Sequence, residues 1–228
     1  MPHALATNKT EQTIRILLSD GSLEGNLTLP ESAHAVVLFA HGSGSSRFSP
    51  RNRFVADVLH EAGLATLLID LLTQKEERVD MGTAHLRFNI PLLAGRLVRA
   101  TDWLAENSAT RDLPVTYFGA STGAAAALVA GAGRPAISAI VSRGGRPDLA
   151  GRALEDVRAA VLLIVGGYDL PVLELNEEAL QKLIRAREKS LHIVPRATHL
   201  FEEPGTLEQA ARLAAEWFTL HLDAPEPR

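Results

Sequence analysis

Along the chain, short apolar runs alternate with longer segments whose apolar positions recur every three or four residues. Ala35–Ala40 (AVVLFA), Ala65–Ile69 and Val161–Val165 are nearly unbroken apolar runs. A strand covered on both faces has no solvent side to mark with polar residues, so these runs predict buried strands. Thr13–Leu18 and Leu23–Leu29 flank Asp20-Gly21, a turn dipeptide, and predict a hairpin. Pro114–Phe118, Ser138–Ser142 and Leu191–Val194 complete the strands. Between them, Arg53–Ala62 gathers Phe54, Val55, Val58 and Leu59 on one helical face and stops at Gly63. Leu93, Leu97, Ala100 and Leu104 mark a second helix; Thr122–Ala130, Val172–Ala186 and Thr206–Leu220 predict three more. Residues 71–90 read as polar and irregular, and 222–228 as a frayed tail.

Strands that alternate with helices predict an α/β architecture: a mostly parallel sheet with helices on both faces. The initial hairpin extends its edge. No repeat, low-complexity tract or linker divides the chain, so one domain over 1–228 is expected, with its core at about 12–221. In such sheets the site lies beyond the carboxyl ends of the strands. Chemistry is therefore sought just after residues 40, 69, 118, 142, 165 and 194.

After Phe118 comes Gly119-Ala120-Ser121-Thr122-Gly123, a G-x-S-x-G between a predicted strand and a predicted helix. A sharp turn there would expose Ser121 at a helix N-terminus, where backbone N–H groups favour a developing oxyanion. The competing reading is a glycine-rich helix start with an ordinary serine. After Ala40, His41-Gly42-Ser43-Gly44-Ser45-Ser46 is rich in backbone donors. The oxyanion-hole candidates are the backbone N–H groups of Ser43 and Thr122, with His41 organising the loop. This loop lacks the G-K-[ST] ending of a phosphate-binding P-loop. After Val165 comes Asp169, either an acid at a strand end or a helix cap. Of eight histidines, only His199 falls in a loop after the last strand. The order Ser121, Asp169, His199, each after its own strand, is that of a nucleophile–acid–base triad on this kind of sheet. Asp70 precedes the serine and is read as structural. Gly131–Ala136 fits G-x-G-x-x-A but follows a helix, with Pro135 where a helix should open, which argues against a dinucleotide site.

Composition narrows the field. The net charge is −4, which disfavours nucleic acid or an anionic membrane as the main partner. The chain has no cysteine, so disulfides, thiolate zinc sites and a cysteine nucleophile are excluded. No apolar run approaches the ~20 residues that span a bilayer. The first 20 residues carry no apolar core after a basic start, so no signal peptide is expected and a cytoplasmic location is the default.

The segments HGSGSS (41–46), YFGASTGAAAAL (117–128), LLIVGGYD (162–169) and ATHLFEEPG (197–205) resemble the dienelactone-hydrolase-like branch of the α/β-hydrolase superfamily. That resemblance implies the α/β-hydrolase fold and a triad of Ser121, Asp169 and His199. Dienelactone hydrolase proper uses a cysteine nucleophile, where this chain has Ser121, so carboxylic esters rather than dienelactone are the implied substrates. Similar domains also occur fused to a phosphoribosyltransferase domain; these 228 residues contain no such segment, and that activity is not implied. No metal or organic cofactor is expected, and self-association is left open. The segment from Ser142 to Val161 is too short for a large lid, which predicts an open pocket. Arg47, Arg143 and Phe88 are candidate substrate contacts, each arginine weighed against a surface salt bridge. The primary expectation is hydrolysis of small esters or lactones through an acyl-enzyme on Ser121. Alternatives are acyl transfer or peptide cleavage by the same triad, or a non-catalytic binding module on the fold.

Overall fold

Unbroken apolar sequence becomes the middle of the sheet. In the computed structural model, which describes residues 8–222, strands β3 (Ala35–Ala40) and β4 (Leu64–Ile69) are buried at every position, as is β7 (Ala160–Gly166). With β1 (Lys9–Leu18), β2 (Gly21–Pro30), β5 (Val115–Ala120), β6 (Ala139–Arg143) and β8 (Lys189–Val194) they form one eight-stranded sheet of order β1-β2-β4-β3-β5-β6-β7-β8. From β4 to β8 all pairs are parallel. The β1–β2 hairpin turns at Ser19–Asp20 and joins β4 antiparallel. Strand order reverses at β3, with β4 on one side and β5 on the other. The crevice at the carboxyl ends of β3 and β5 is thus the topological switch point.

Helices cover both faces because each buries one apolar stripe. Helices α1 (Pro50–Glu61) and α6 (Thr206–Leu220) pack on each other and on one face, around Phe39, Phe118 and Phe218. On the other face lie α3 (Ile90–Glu106), α4 (Thr122–Ala132) and α5 (Leu170–Lys182), around Leu97, Tyr117 and Leu128. The Tyr117 hydroxyl bonds the Thr101 hydroxyl at 2.7 Å, tying β5 to α3; burial pushes that phenol up to about 12. The connection from β6 to β7 is a run of 3₁₀ turns over Pro147–Asp156 rather than a lid domain.

The structure departs from the sequence reading in a few places. Residues 71–90 are not irregular: α2 (Gln74–Thr83) and a 3₁₀ turn at Leu86–Phe88 lie there. Asp80 is the only buried residue of α2, so no apolar periodicity betrays it; its signal is the capping box, Thr73 accepting from Glu76 N–H and Glu76 from Thr73 N–H. Helix α1 starts three residues before the predicted Arg53, at Pro50, with Ser49 as cap. Helix α5 starts earlier and stops earlier than Val172–Ala186. The tail expectation lies, from 223 onward, outside the described residues.

Candidate active site

The turn after β5 is strained. Ser121 has φ 50° and ψ −122°, a conformation that costs a non-glycine residue on the order of 1–3 kcal/mol. Its neighbours hold it there: Ser121 N–H donates to the Arg143 carbonyl (3.3 Å), and the Ser121 carbonyl accepts from Ala124 (3.1 Å) and Arg146 (3.0 Å). The flanking glycines make the turn possible. A Cβ on Gly119 would stand 2.4 Å from Ala124 Cα, and one on Gly123 2.1 Å from the Ala40 carbonyl oxygen.

Asp169 and His199 reach the same point from β7 and β8. His199 Nδ1 lies 2.6 Å from Asp169 Oδ2, and His199 Nε2 3.3 Å from Ser121 Oγ. Asp169 stands at the cap position of α5, yet its side chain makes no cap hydrogen bond and is given to His199 instead. The histidine loop is braced by Glu203, which accepts from the Thr198 N–H (3.0 Å) and hydroxyl (2.7 Å). The Thr198 hydroxyl holds the Glu203 carboxyl below its ordinary range. Buried Phe201, at φ 56°, pins the far side of the loop.

The loop after β3 is fixed by His41. Its Nδ1 donates to the Gly42 carbonyl (2.9 Å), and its Nε2 accepts from Leu71 N–H (3.2 Å). Burial lowers the His41 pKa, so a neutral ring makes both bonds. The loop lies hard against the nucleophile turn: a Cβ on Gly42 would meet Ser121 Cβ at 3.0 Å. Ser43 and Thr122 do face each other, but the Ser43 N–H is engaged; it donates to Thr122 Oγ1 at 2.9 Å.

Two hollows meet at the site, sharing Gly42, Ser43 and Arg51 in their linings. One, of about 220 Å³, is lined by Ser121, His199, Arg51, Asn52 and Arg143. The other, of about 530 Å³, runs from Ser43 and Thr122 past Phe48, Leu71, Met81 and Arg87. Helix α2 therefore supplies a wall of the larger one, through Glu77, Asp80 and Met81. Asp80 is buried, which by itself would raise its pKa, but the Arg87 guanidinium (Nε at 2.6 Å) and the backbone N–H groups of Arg87 and Leu86 together lower it.

Among the substrate-contact candidates the structure separates three cases. Arg47 does not line either hollow: its guanidinium is committed to Asp70, Glu24 (2.7 Å) and Asn26 (3.1 Å). Asp70, read from sequence as structural, also accepts the Arg47 N–H (2.7 Å) and stands in the lining of the larger hollow. Phe88 is half exposed and lines neither hollow; its neighbour Arg87 does. Arg143 is at the site and buried, with one Nη bonded to Asn52 Oδ1 (3.2 Å) and the other buried without a partner among the described residues. Burial, then Arg51, pushes its pKa down to about 10. Arg51, paired with Glu202 at 3.1 Å, is a site residue that strand-end reasoning misses, because it sits in the first turn of α1, eleven residues past the end of β3.

No family model matches the chain. Two proteins of Mycobacterium tuberculosis, from strains CDC 1551 / Oshkosh and H37Rv, both named "Putative phosphoribosyl transferase", are 56% identical over 218 residues. The match takes in 95% of this chain and 48% of theirs, so the chain spans about half the length of the curated relatives it matches. A solved dienelactone hydrolase from Anabaena variabilis is 60% identical, with a TM-score of 0.91 over 94% of this chain and 99% of that one. A cold-adapted esterase from an Arctic intertidal metagenomic library has a TM-score of 0.75 at 17% identity, over 94% of this chain and 95% of its own, which is likeness of fold alone.

Proposed function

Because this chain belongs to the dienelactone-hydrolase-like family of α/β-hydrolases, we propose that it is a serine hydrolase that cleaves carboxylic esters or lactones of small molecules through an acyl-enzyme on Ser121. The observation that carries the reading is the unbroken chain Ser121 Oγ, His199 Nε2 (3.3 Å), His199 Nδ1, Asp169 Oδ2 (2.6 Å).

The chemistry follows from that chain. Asp169 accepts a hydrogen bond from the His199 Nδ1–H, which leaves Nε2 as the lone-pair nitrogen facing the serine. His199 takes the Ser121 proton as Oγ attacks the ester carbonyl. A tetrahedral oxyanion forms beside the N-terminus of α4, where the Thr122 backbone N–H and the helix dipole favour it. The C–O bond to the alcohol breaks, and the alcohol leaves with the proton from His199. Water repeats the sequence: His199 takes its proton, hydroxide attacks the acyl carbon, and Ser121 recovers its proton as the acid departs. The smaller hollow, at Ser121, and the larger one that adjoins it at Ser43 are read as the sites of the acyl and alcohol portions. The buried cation of Arg143 makes it the proposed contact for a polar or anionic substrate group.

The test is a panel of p-nitrophenyl esters from acetate to octanoate, run with the parent and with Ser121→Ala, alongside labelling by a fluorophosphonate. The expected result is activity and stoichiometric labelling in the parent and neither in the variant. A Ser121→Ala protein that hydrolyses p-nitrophenyl butyrate at the parental rate overturns the reading. Added alcohol, with ester products measured, separates hydrolysis from acyl transfer.

A further inference from the structure

An oxyanion needs two or three donors, and the donor expected from the β3 loop is already taken. Ser43 N–H donates to Thr122 Oγ1 at 2.9 Å, and neither partner is free to drift. His41 pins the loop through Gly42 and Leu71, and Gly42 and Gly123 allow loop and helix to approach as closely as backbone can. Thr122 itself is buried, 3% exposed.

A hydroxyl that accepts one hydrogen bond still has a proton to donate. Among the described residues, the Thr122 hydroxyl has no acceptor within hydrogen-bond reach. The usual outlet for a helical threonine, the carbonyl four residues back, does not serve, because Thr122 is the first residue of α4 and that carbonyl belongs to β5. Thr122 lines the larger hollow beside Ser43, and that hollow meets the one lined by Ser121 and His199 along Gly42, Ser43 and Arg51. The Thr122 hydroxyl proton is therefore free for an acceptor that enters where the two hollows meet, one residue along the chain from Ser121.

We propose that the Thr122 hydroxyl is itself a catalytic donor to the oxyanion, so that one residue supplies two donors, its backbone N–H and its Oγ–H, while Ser43 acts as a positioning residue that orients and polarises the hydroxyl. This rests on Ser121 being the nucleophile. The physical gain is twofold. The Ser43 N–H removes one of the hydroxyl's lone pairs from play and fixes its rotamer, so the donor is oriented before charge develops. A hydrogen bond accepted by an oxygen also strengthens the bond that oxygen donates. In the ground state a neutral ester carbonyl draws little on this donor; the negative oxygen of the tetrahedral intermediate draws fully, so the effect belongs in kcat rather than in KM.

Thr122→Val keeps the shape and removes the donor; Thr122→Ser keeps the donor. With p-nitrophenyl butyrate, Thr122→Val lowers kcat by roughly 100-fold with KM changed by less than about 3-fold, and Thr122→Ser stays within about 5-fold of the parent. The inhibition constant of an alkylboronic acid, which forms a tetrahedral adduct on the serine, rises by about the same factor as kcat falls. Endpoint fluorophosphonate labelling remains stoichiometric in both, which shows a folded protein with a working nucleophile. Thr122→Ala serves if the valine variant does not fold, and it sharpens the alternative by freeing the Ser43 N–H. A valine or alanine variant as fast as the parent or faster, or a loss confined to KM, overturns the proposal and returns the second donor to Ser43 directly. Activity that survives Ser121→Ala removes the acyl-enzyme reading instead, whatever Thr122 does.

Discussion

Adding one methyl group at Gly123 should damage both the fold and the chemistry, and the size of the damage can be worked from distances. A Cβ there would lie 2.1 Å from the Ala40 carbonyl oxygen and 2.5 Å from that of His41. Ordinary contact begins above 3 Å, so the N-terminus of α4 and the end of β3 must separate by about 1 Å. Such overpacking in a closely fitted region typically costs about 1–3 kcal/mol. The same displacement moves Ser43 from Thr122 and Thr122 from Ser121, and a shift of about 1 Å in a catalytic group can cost about 100-fold in rate. Two other glycines calibrate the argument. At Gly42 the added Cβ would meet Ser121 Cβ at 3.0 Å, so alanine there should lower activity more than stability. At Gly95, exposed within α3, no described residue lies within 4 Å of an added Cβ, and alanine should stabilise by roughly 0.5–1 kcal/mol. Urea denaturation and p-nitrophenyl butyrate kinetics on the three variants read the series. Parental stability and rate in Gly123→Ala, or a destabilised Gly95→Ala, would refute the reasoning.

Three further outcomes follow from the same geometry. Asp169→Asn should leave urea stability nearly unchanged and lower kcat by about 10³- to 10⁴-fold, because an amide can hold His199 in the wrong tautomer; a loss below about 10-fold would count against Asp169 as the orienting acid. His60, buried between α1 and β4 and bonded to Thr66 at 2.8 Å, has its pKa lowered from 6.5 to about 4, burial being the main cause. The unfolded chain therefore binds the extra proton first, and stability contributed by neutral His60 falls as pH drops from about 6.5 towards 4; urea midpoints of His60→Gln should decline less over that window than those of the parent. Arg143→Gln should slow a hemi-ester such as a mono-p-nitrophenyl dicarboxylate by about 10-fold or more relative to p-nitrophenyl butyrate, whereas equal loss on both would make Arg143 a structural residue only.

What was legible in the sequence was whatever neighbouring residues decide among themselves. AVVLFA at 35–40 carries no polar face and so must lie inside a sheet; GASTG at 119–123 permits a turn too tight for other residues; the placement of Ser121, Asp169 and His199 each after its own strand follows from the strand order along the chain. Helix α2 escaped because its capping box, though local, marks only one end and the helix buries little to give it a period. Side-chain partnerships were decided only by the tertiary structure. Arg47 and Arg143 look alike in sequence, each in or near a strand end, yet Arg47 folds onto Glu24 and Asp70 across 23 residues in either direction, while Arg143 meets Asn52 across 91. The same holds for Ser43, whose N–H was expected to face substrate and instead meets the Thr122 hydroxyl 79 residues away. Hydrogen bonds are made within about 3 Å, and only the packed backbone determines which groups come that close.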